Sequence, residues 1–263
     1  MKDMLLPKKS LIVFDLDGTL TETKSDLGSD MSEVLGRLLK EKKVAVIGGG
    51  TYRQFRRQFI SRLDCPSRLL ENLFIFPTTA TSFYRYDRGW KNVYAYSLSK
   101  AQKQKIKRAI KYVFEEIHYA PPKKTYGKTL EDRGSQMSYS FLGQDVVAEL
   151  GTNGVRLKEK WTKEHASLKM KVASLLQKQL PDLEVHAAGF TTIDITRRGI
   201  DKAYGIRQIE KHLHIPIGAM LFIGDALYPG GNDAPAKKTG VQTIAVSGPK
   251  DTIGVIKKIL NDR

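Results

Sequence analysis

Apolar residues recur along the chain as short continuous runs separated by stretches of helical period. LIVF (11–14), VAVI (44–47), LFIF (73–76) and MLFI (220–223) share this form. Runs of this length, bounded by turn residues, suit strands buried on both faces of a sheet. Between the first two, DMSEVLGRLLKEKK (30–43) sets Met31, Val34, Leu35, Leu38 and Leu39 at helical spacing, with lysines in its last turn. TYRQFRRQFISRL (51–63), DKAYGIRQIEKHL (201–213) and DTIGVIKKIL (251–260) predict further helices, and TTIDI (191–195) and VQTIAVS (241–247) further strands. This alternation predicts an α/β fold, a Rossmann-like parallel sheet with helices on its faces.

The middle of the chain departs from that rhythm. YRYDRGWKNVYAYSL, SQMSYSFLG and LEVHAAG alternate polar and apolar positions, as strands of an antiparallel sheet do. They are interleaved with a basic helix and with SLKMKVASLLQKQL, while KEKWTKEHASLK reads as a loop leading into that second helix. The expectation is a discontinuous core, 1–82 and 189–263, interrupted by an α+β domain at 83–188.

Composition narrows the class. Apolar residues at 41% and charged residues at 27% are ordinary for a soluble globular chain. No apolar run nears the roughly 18 residues that span a bilayer, so no membrane partner is expected. The start of the sequence lacks an adequate apolar leader core and cleavage site, and the single Cys65 forms no intramolecular disulfide; a cytoplasmic setting is expected. A monomer or homodimer suits this size.

The net charge of +16 raises the question of an anionic partner, a phosphorylated metabolite or nucleic acid. The densest basic segment, SKAQKQKIKRAIKY (99–112), reads as an amphipathic helix whose lysines form a solvated face. Nucleic-acid binding would need Tyr84, Tyr86, Trp90 and Tyr94 to form one exposed stacking surface. Strand aromatics usually pack instead, so nucleic acid is not the expected partner. The histidines, among them His212 and His214 at a helix end, show no metal-ligand spacing and read as structural.

Four stretches carry candidate chemistry. FDLD (14–17) and FIGD (222–225) each end an apolar strand in acid. Ligands of open parallel sheets sit beyond the carboxyl ends of the strands, which would bring these acids to one edge. Carboxylates gathered there call for a hard cation, and oxygen-only ligation suits Mg²⁺. VIGGGTY, between a strand and a helix, offers free N–H groups to a phosphate, although such a turn often serves only as a turn. Lys202 opens a helix near the same edge, and Asn232 and Asp233 follow a proline–glycine turn that would fold them back towards the acids.

Together, Asp15-Leu16-Asp17-Gly18-Thr19, the glycine-rich second strand end, Lys202 and Gly224-Asp225 with Gly230-Gly231-Asn232-Asp233 resemble the four motifs of the haloacid dehalogenase (HAD) superfamily. The insert resembles its C2-type cap (subclass IIB). The GGND ending, with FTTIDI and GIDK before it, is similar to the branch holding eukaryotic-type phosphomannomutases and bacterial phosphatase-like relatives. The resemblance implies Asp15 as nucleophile, forming an aspartyl phosphate, and Asp17 as general acid and base. It implies Mg²⁺ held by Asp15, the Asp17 carbonyl and Asp225, with Asn232 and Asp233 supporting that shell. Thr19, Gly49, Gly50 and Lys202 would hold phosphate oxygens. The second motif usually supplies a hydroxyl, but here Gly48-Gly49-Gly50 precede Thr51, so either Thr51 or the glycine N–H groups take that role.

The same resemblance implies substrate contacts by Lys24, Arg133, Gln144, Thr192 and Asp194. In the mutases several arginines grip the distal phosphate of a sugar bisphosphate. Here Arg133 remains, while Gln144, Gly151 and Lys24 stand where others would fall. Glutamine carries no charge and no bidentate fork. The expectation is therefore a phosphatase acting on a small phosphorylated sugar or related metabolite. A phosphomannomutase-type mutase is the alternative, and a nucleic-acid-binding protein with a basic insert the second.

Overall fold

The computed structural model describes residues 9–23 and 25–261. In chain order the elements are β1 (Leu11–Asp15), α1 (Ser29–Glu41), β2 (Lys43–Ile47), α2 (Tyr52–Gln58), β3 (Leu73–Phe76), a short turn α3 (Pro77–Ala80), β4 (Ser82–Tyr86), β5 (Trp90–Ala95), α4 (Lys100–Glu116), β6 (Leu130–Asp132), β7 (Gln136–Ser140), α5 (Val146–Leu150), α6 (Thr152–Gln179), β8 (Leu183–Ala188), β9 (Thr192–Arg197), α7 (Lys202–Leu213), β10 (Met220–Gly224), β11 (Gln242–Ala245) and α8 (Pro249–Asn261). They fall into two compact units, residues 1–95 with 201–263, and residues 96–200.

The first unit is built on a seven-stranded sheet in the order β11-β10-β1-β2-β3-β4-β5. The strands from β11 to β3 are parallel, and β4 and β5 add an antiparallel hairpin at one edge. Side chains alternate across the sheet as strand geometry requires. Ile12 and Phe14 enter a core with Met31, Leu35 and Leu38 of α1 and Ile256 and Leu260 of α8. Leu11 and Val13 enter the opposite core with Ile206 and Ile209 of α7. Helices on both faces make the fold doubly wound. From β1 the chain continues through α1 to β2 on one side, and β10 returns on the other. The crevice between the ends of β1 and β10 is the topological switch point, where such sheets bind ligands.

The second unit is a four-stranded antiparallel sheet in the order β6-β7-β9-β8. One face carries Met137, Tyr139, Ile193, Ile195 and Leu183 into a core with Ile106, Ile110 and Val113 of α4 and Val172 and Leu176 of α6. The other face is polar. Glu131, Ser138, Asp194 and His186 are successive register partners across its four strands.

These pairings move the expected boundaries. Residues 83–95 belong to the first unit's sheet, and TTIDI forms β9 of the second. Alternation marks an antiparallel strand but not which sheet accepts it, so local pattern could not settle either assignment. KEKWTKEHASLK lies inside α6 rather than in a loop; the helix is kinked at His165 (φ −130°, ψ 19°), whose ring stacks on Trp161. His212 packs against Tyr94 and Phe83, while Tyr84 stacks on Tyr52 and Tyr86 meets Trp90 edge-on. The four aromatics considered for nucleic-acid stacking thus have aromatic neighbours within the first unit. No helix of the described residues is long and apolar enough to cross a membrane.

Candidate active site

β1 delivers Asp15 to the switch point with its side chain almost fully buried. The chain then turns tightly, with Leu16 O accepting from the N–H groups of Leu20 and Thr21 at 3.0 Å each. Gly18 makes that turn possible. Its φ is +89°, and a Cβ there would lie 2.5 Å from Asp225 Oδ2. Only glycine meets both demands at low cost. Asp17 is half-buried and forms an isolated bridge with Thr21.

Asp225 follows β10 directly. Thr19 Oγ1 donates to Asp225 Oδ1 at 3.0 Å and accepts from the Asp225 N–H at 3.1 Å. The Thr19 hydroxyl, expected on a phosphate oxygen, is therefore occupied in orienting Asp225. Asp233 is fully buried, and its Oδ2 accepts from Ala226 N–H at 3.1 Å. Carboxylate oxygens of Asp15, Asp225 and Asp233 all lie within 4.8 Å of one another. Asp233 thus lies within the acid cluster, while Asn232 is exposed.

Lys202 is the first residue of α7, whose N-cap Asp201 accepts from Tyr204 N–H at 2.8 Å. The capped start points the Lys202 side chain inward, where only 3% of the residue is exposed. Its Nζ donates to Asp15 Oδ1, to Ile47 O at 3.1 Å, and lies 3.0 Å from Asp233 Oδ1. Burial pulls the ammonium towards losing its proton, but the Asp15 and Asp233 carboxylates outweigh it and hold its pKa above the usual lysine value. Burial pushes Asp15 well above the usual carboxyl range, against the pull of Lys202, and burial likewise raises Asp225, against its Thr19 hydrogen bond.

Two buried carboxylates, Asp15 and Asp233, share the one Lys202 ammonium, and the half-buried Asp225 lies beside them, which concentrates negative charge at this point. Buried charge without a partner is costly. The oxygen-only donor set and the close spacing of the acids fit a hard divalent cation such as Mg²⁺.

The second loop lies alongside. Thr78 N–H donates to Gly50 O and Thr79 N–H to Gly48 O, both at 2.9 Å. Thr78, Thr79 and Ala80 hold left-handed φ of 47°, 55° and 60°. Non-glycine residues there are strained, and such strain gathers at ligand sites. Thr51 Oγ1 accepts from Gln54 N–H at 3.2 Å and caps α2. Gly49 and Gly50 precede it in the same loop.

The remaining candidates lie in the second unit, except Lys24, which is outside the described residues. Arg133 Nε donates to Glu131 Oε2 at 2.7 Å, and its Nη2 to Gln144 Oε1 at 3.2 Å. Gln144 Nε2 donates to Ser138 O at 3.0 Å, and Ser138 Oγ donates to Asp194 Oδ1 at 2.6 Å. Thr192 is buried on the same polar face of β9. Sequence reasoning missed Glu131 and Ser138; their period-two spacing from Arg133 and Ser140 is the signal that places them on this face.

An open parallel sheet with clustered aspartates and a buried lysine at its switch point defines an α/β enzyme of the HAD superfamily. A family model described as eukaryotic phosphomannomutase matches residues 31–262, and the chain belongs to the eukaryotic phosphomannomutase family. It is 26% identical to a phosphomannomutase of Schizosaccharomyces pombe over 263 residues, covering 96% of this chain and 95% of the relative. Among solved structures, an IMP-bound IMP-nucleotidase of Plasmodium falciparum superposes with a TM-score of 0.70 at 14% identity, over 98% of this chain and 69% of that one. A haloacid dehalogenase-like hydrolase of Bacteroides thetaiotaomicron superposes with a TM-score of 0.61 at 16% identity, over 96% and 100% of the two chains. At such identities the structural likeness speaks for the fold alone. The family favours the mutase alternative over the phosphatase expected from the arginine pattern.

Proposed function

We propose that the chain is a sugar-phosphate mutase, moving a phosphoryl group between two positions of a small phosphorylated sugar through an aspartyl phosphate on Asp15. The observation that carries this reading is the placement of Asp15: a buried carboxylate at the end of β1, held on one oxygen by Lys202 and flanked by Asp225 and Asp233. Lys202 fixes Oδ1, which leaves Oδ2 to attack phosphorus without prior loss of a proton. As the Oδ2–P bond forms, the bond from phosphorus to the ester oxygen breaks, and Asp17 gives a proton to the departing alkoxide. In the return step Asp17 takes a proton from another hydroxyl of the sugar, whose oxygen attacks phosphorus and frees Asp15. Asp15, Asp225 and Asp233, with the Asp17 carbonyl that the resemblance implies, would hold Mg²⁺. That ion supplies charge neutralisation for the transferred group.

Hydrolysis of the aspartyl phosphate is a second reading, and one observation favours it. Of Arg133, Gln144 and Gly151, where the resemblance implies distal-phosphate arginines, Arg133 alone is arginine, and it is already engaged by Glu131 and Gln144. Such a group grips a second phosphate weakly, so water would intercept the intermediate. Substrate choice is assigned to Arg133, Gln144, Thr192 and Asp194, with Lys24, in a cytoplasmic enzyme.

Phosphorus NMR of hexose 1- and 6-phosphates, with Mg²⁺ and a bisphosphate primer, separates the readings. Interconversion exceeding phosphate release is expected. Release without isomers would replace the mutase by the phosphatase.

A further inference from the structure

A phosphoryl group at Asp15 needs hydrogen-bond donors for its oxygens, and two obvious ones are committed. Lysine has three N–H donors. Those of Lys202 face Asp15, Asp233 and Ile47 O. The Thr19 hydroxyl donates to Asp225.

The second loop offers another. Ile47, which accepts from Lys202, is the register partner of Asp15, so residues 48–50 continue past the sheet edge beside the nucleophile. A Cβ at Gly48 would lie 3.3 Å from Leu16 Cβ, which shows how closely this loop runs against the first. At Gly50 the space of a missing side chain is taken by Gln54. A Cβ there would lie 2.6 Å from Gln54 Oε1, 2.7 Å from Cδ and 3.1 Å from Nε2. The Gln54 main-chain N–H is bonded to Thr51 Oγ1, which sets the first turn of α2. Its carboxamide is half-buried and makes no hydrogen bond among the described residues. The loop beneath is pinned, because the Gly48 and Gly50 carbonyls are tied to Thr79 and Thr78.

We infer that Gln54 binds the transferred phosphoryl group, its Nε2–H donating to a phosphate oxygen from over Gly50, in the space that a side chain at 50 would otherwise take. Glycine at 50 and glutamine at 54 then form one device, since a side chain at 50 would collide with the carboxamide. This rests on the phosphoryl-transfer reading of Asp15.

The test measures orthovanadate binding with Mg²⁺ by calorimetry, beside kinetics on hexose phosphates. Gln54→Ala is expected to weaken vanadate binding about tenfold, and Gln54→Glu about a hundredfold, through loss of a charge-assisted bond and added repulsion. The helix cap uses main-chain N–H, so melting temperature should hardly move. Gly50→Ser in the Gln54→Ala background should restore most of the affinity, whereas the same change in the parent chain should weaken it. A merely structural Gln54 would give no such rescue. Parent-like vanadate binding by both Gln54 variants would overturn the inference and leave the Asp15 reading standing. A parent chain that binds no vanadate would overturn both.

Discussion

The acid cluster of the first unit and the polar row of the second are both built from carboxylates and their partners, yet they are balanced differently. Around Asp15, two buried carboxylates share one buried ammonium, and a third, Asp225, lies half-buried beside them. In the polar row, Glu131 is answered by Arg133 and Asp194 by Ser138, with Gln144 joining the two halves. The first arrangement holds more carboxylates than ammonium groups, which suits a divalent cation. The second is close to satisfied as it stands. On the proposed reading, chemistry would fall where charge is left unbalanced, and recognition where hydrogen bonds are already ordered.

The largest expected effect breaks the first side of that contrast. Lys202→Met would strip the buried acids of their only ammonium neighbour among the described contacts. Removing one partner of a buried ion pair costs about 3–5 kcal/mol, so urea unfolding of the metal-free protein should show a loss of that order. A loss under about 1 kcal/mol would mean that the acids protonate freely and the cluster is not charge-strained. The second side is sharpened by Gln144→Arg, which restores a cation beside Arg133. The ratio of isomerisation to phosphate release should rise about tenfold, the worth of one added charge-assisted contact. An unchanged ratio would detach Gln144 from substrate choice.

The smallest effect concerns pH. Burial raises the pKa of Asp15 and of Asp225 in the folded chain. The folded state therefore binds protons there more readily than the unfolded state. Stability from these groups is fully present below the ordinary carboxyl range of the unfolded chain and is lost as pH climbs from there through their raised folded values. Mg²⁺ needs the ionised carboxylates, so it should raise the melting temperature by several degrees at about pH 8 and by less at about pH 5.5. Equal shifts at both values would argue against these acids as the ligands.

Much of the parallel core was legible because its signals are local. Continuous apolar runs mark strands buried on both faces, and Asp15, Asp225 and Lys202 stand where those strands end or a helix begins. What escaped depends on partners distant in sequence. The β4–β5 hairpin and β9 carry patterns that fit either sheet. Thr19 and Lys202 are donors in any reading, but only the fold shows their hydrogen bonds directed to Asp225 and to Asp15, Asp233 and Ile47. The turn after Asp225 predicts that Asp233 folds back towards the acids, but its full burial and its contact with Lys202 show only in the fold. Gln54 gave no signal at all, since a glutamine in a helix is normally surface.

The most direct measurement is to quench a turnover mixture with acid and locate the phosphate on the protein by peptide mass spectrometry. A hydroxylamine-labile phosphate on the peptide containing Asp15, absent from Asp15→Asn along with at least about a thousandfold of the activity, is the expected result. Turnover persisting in Asp15→Asn, or a phosphate attached to another residue, would contradict it.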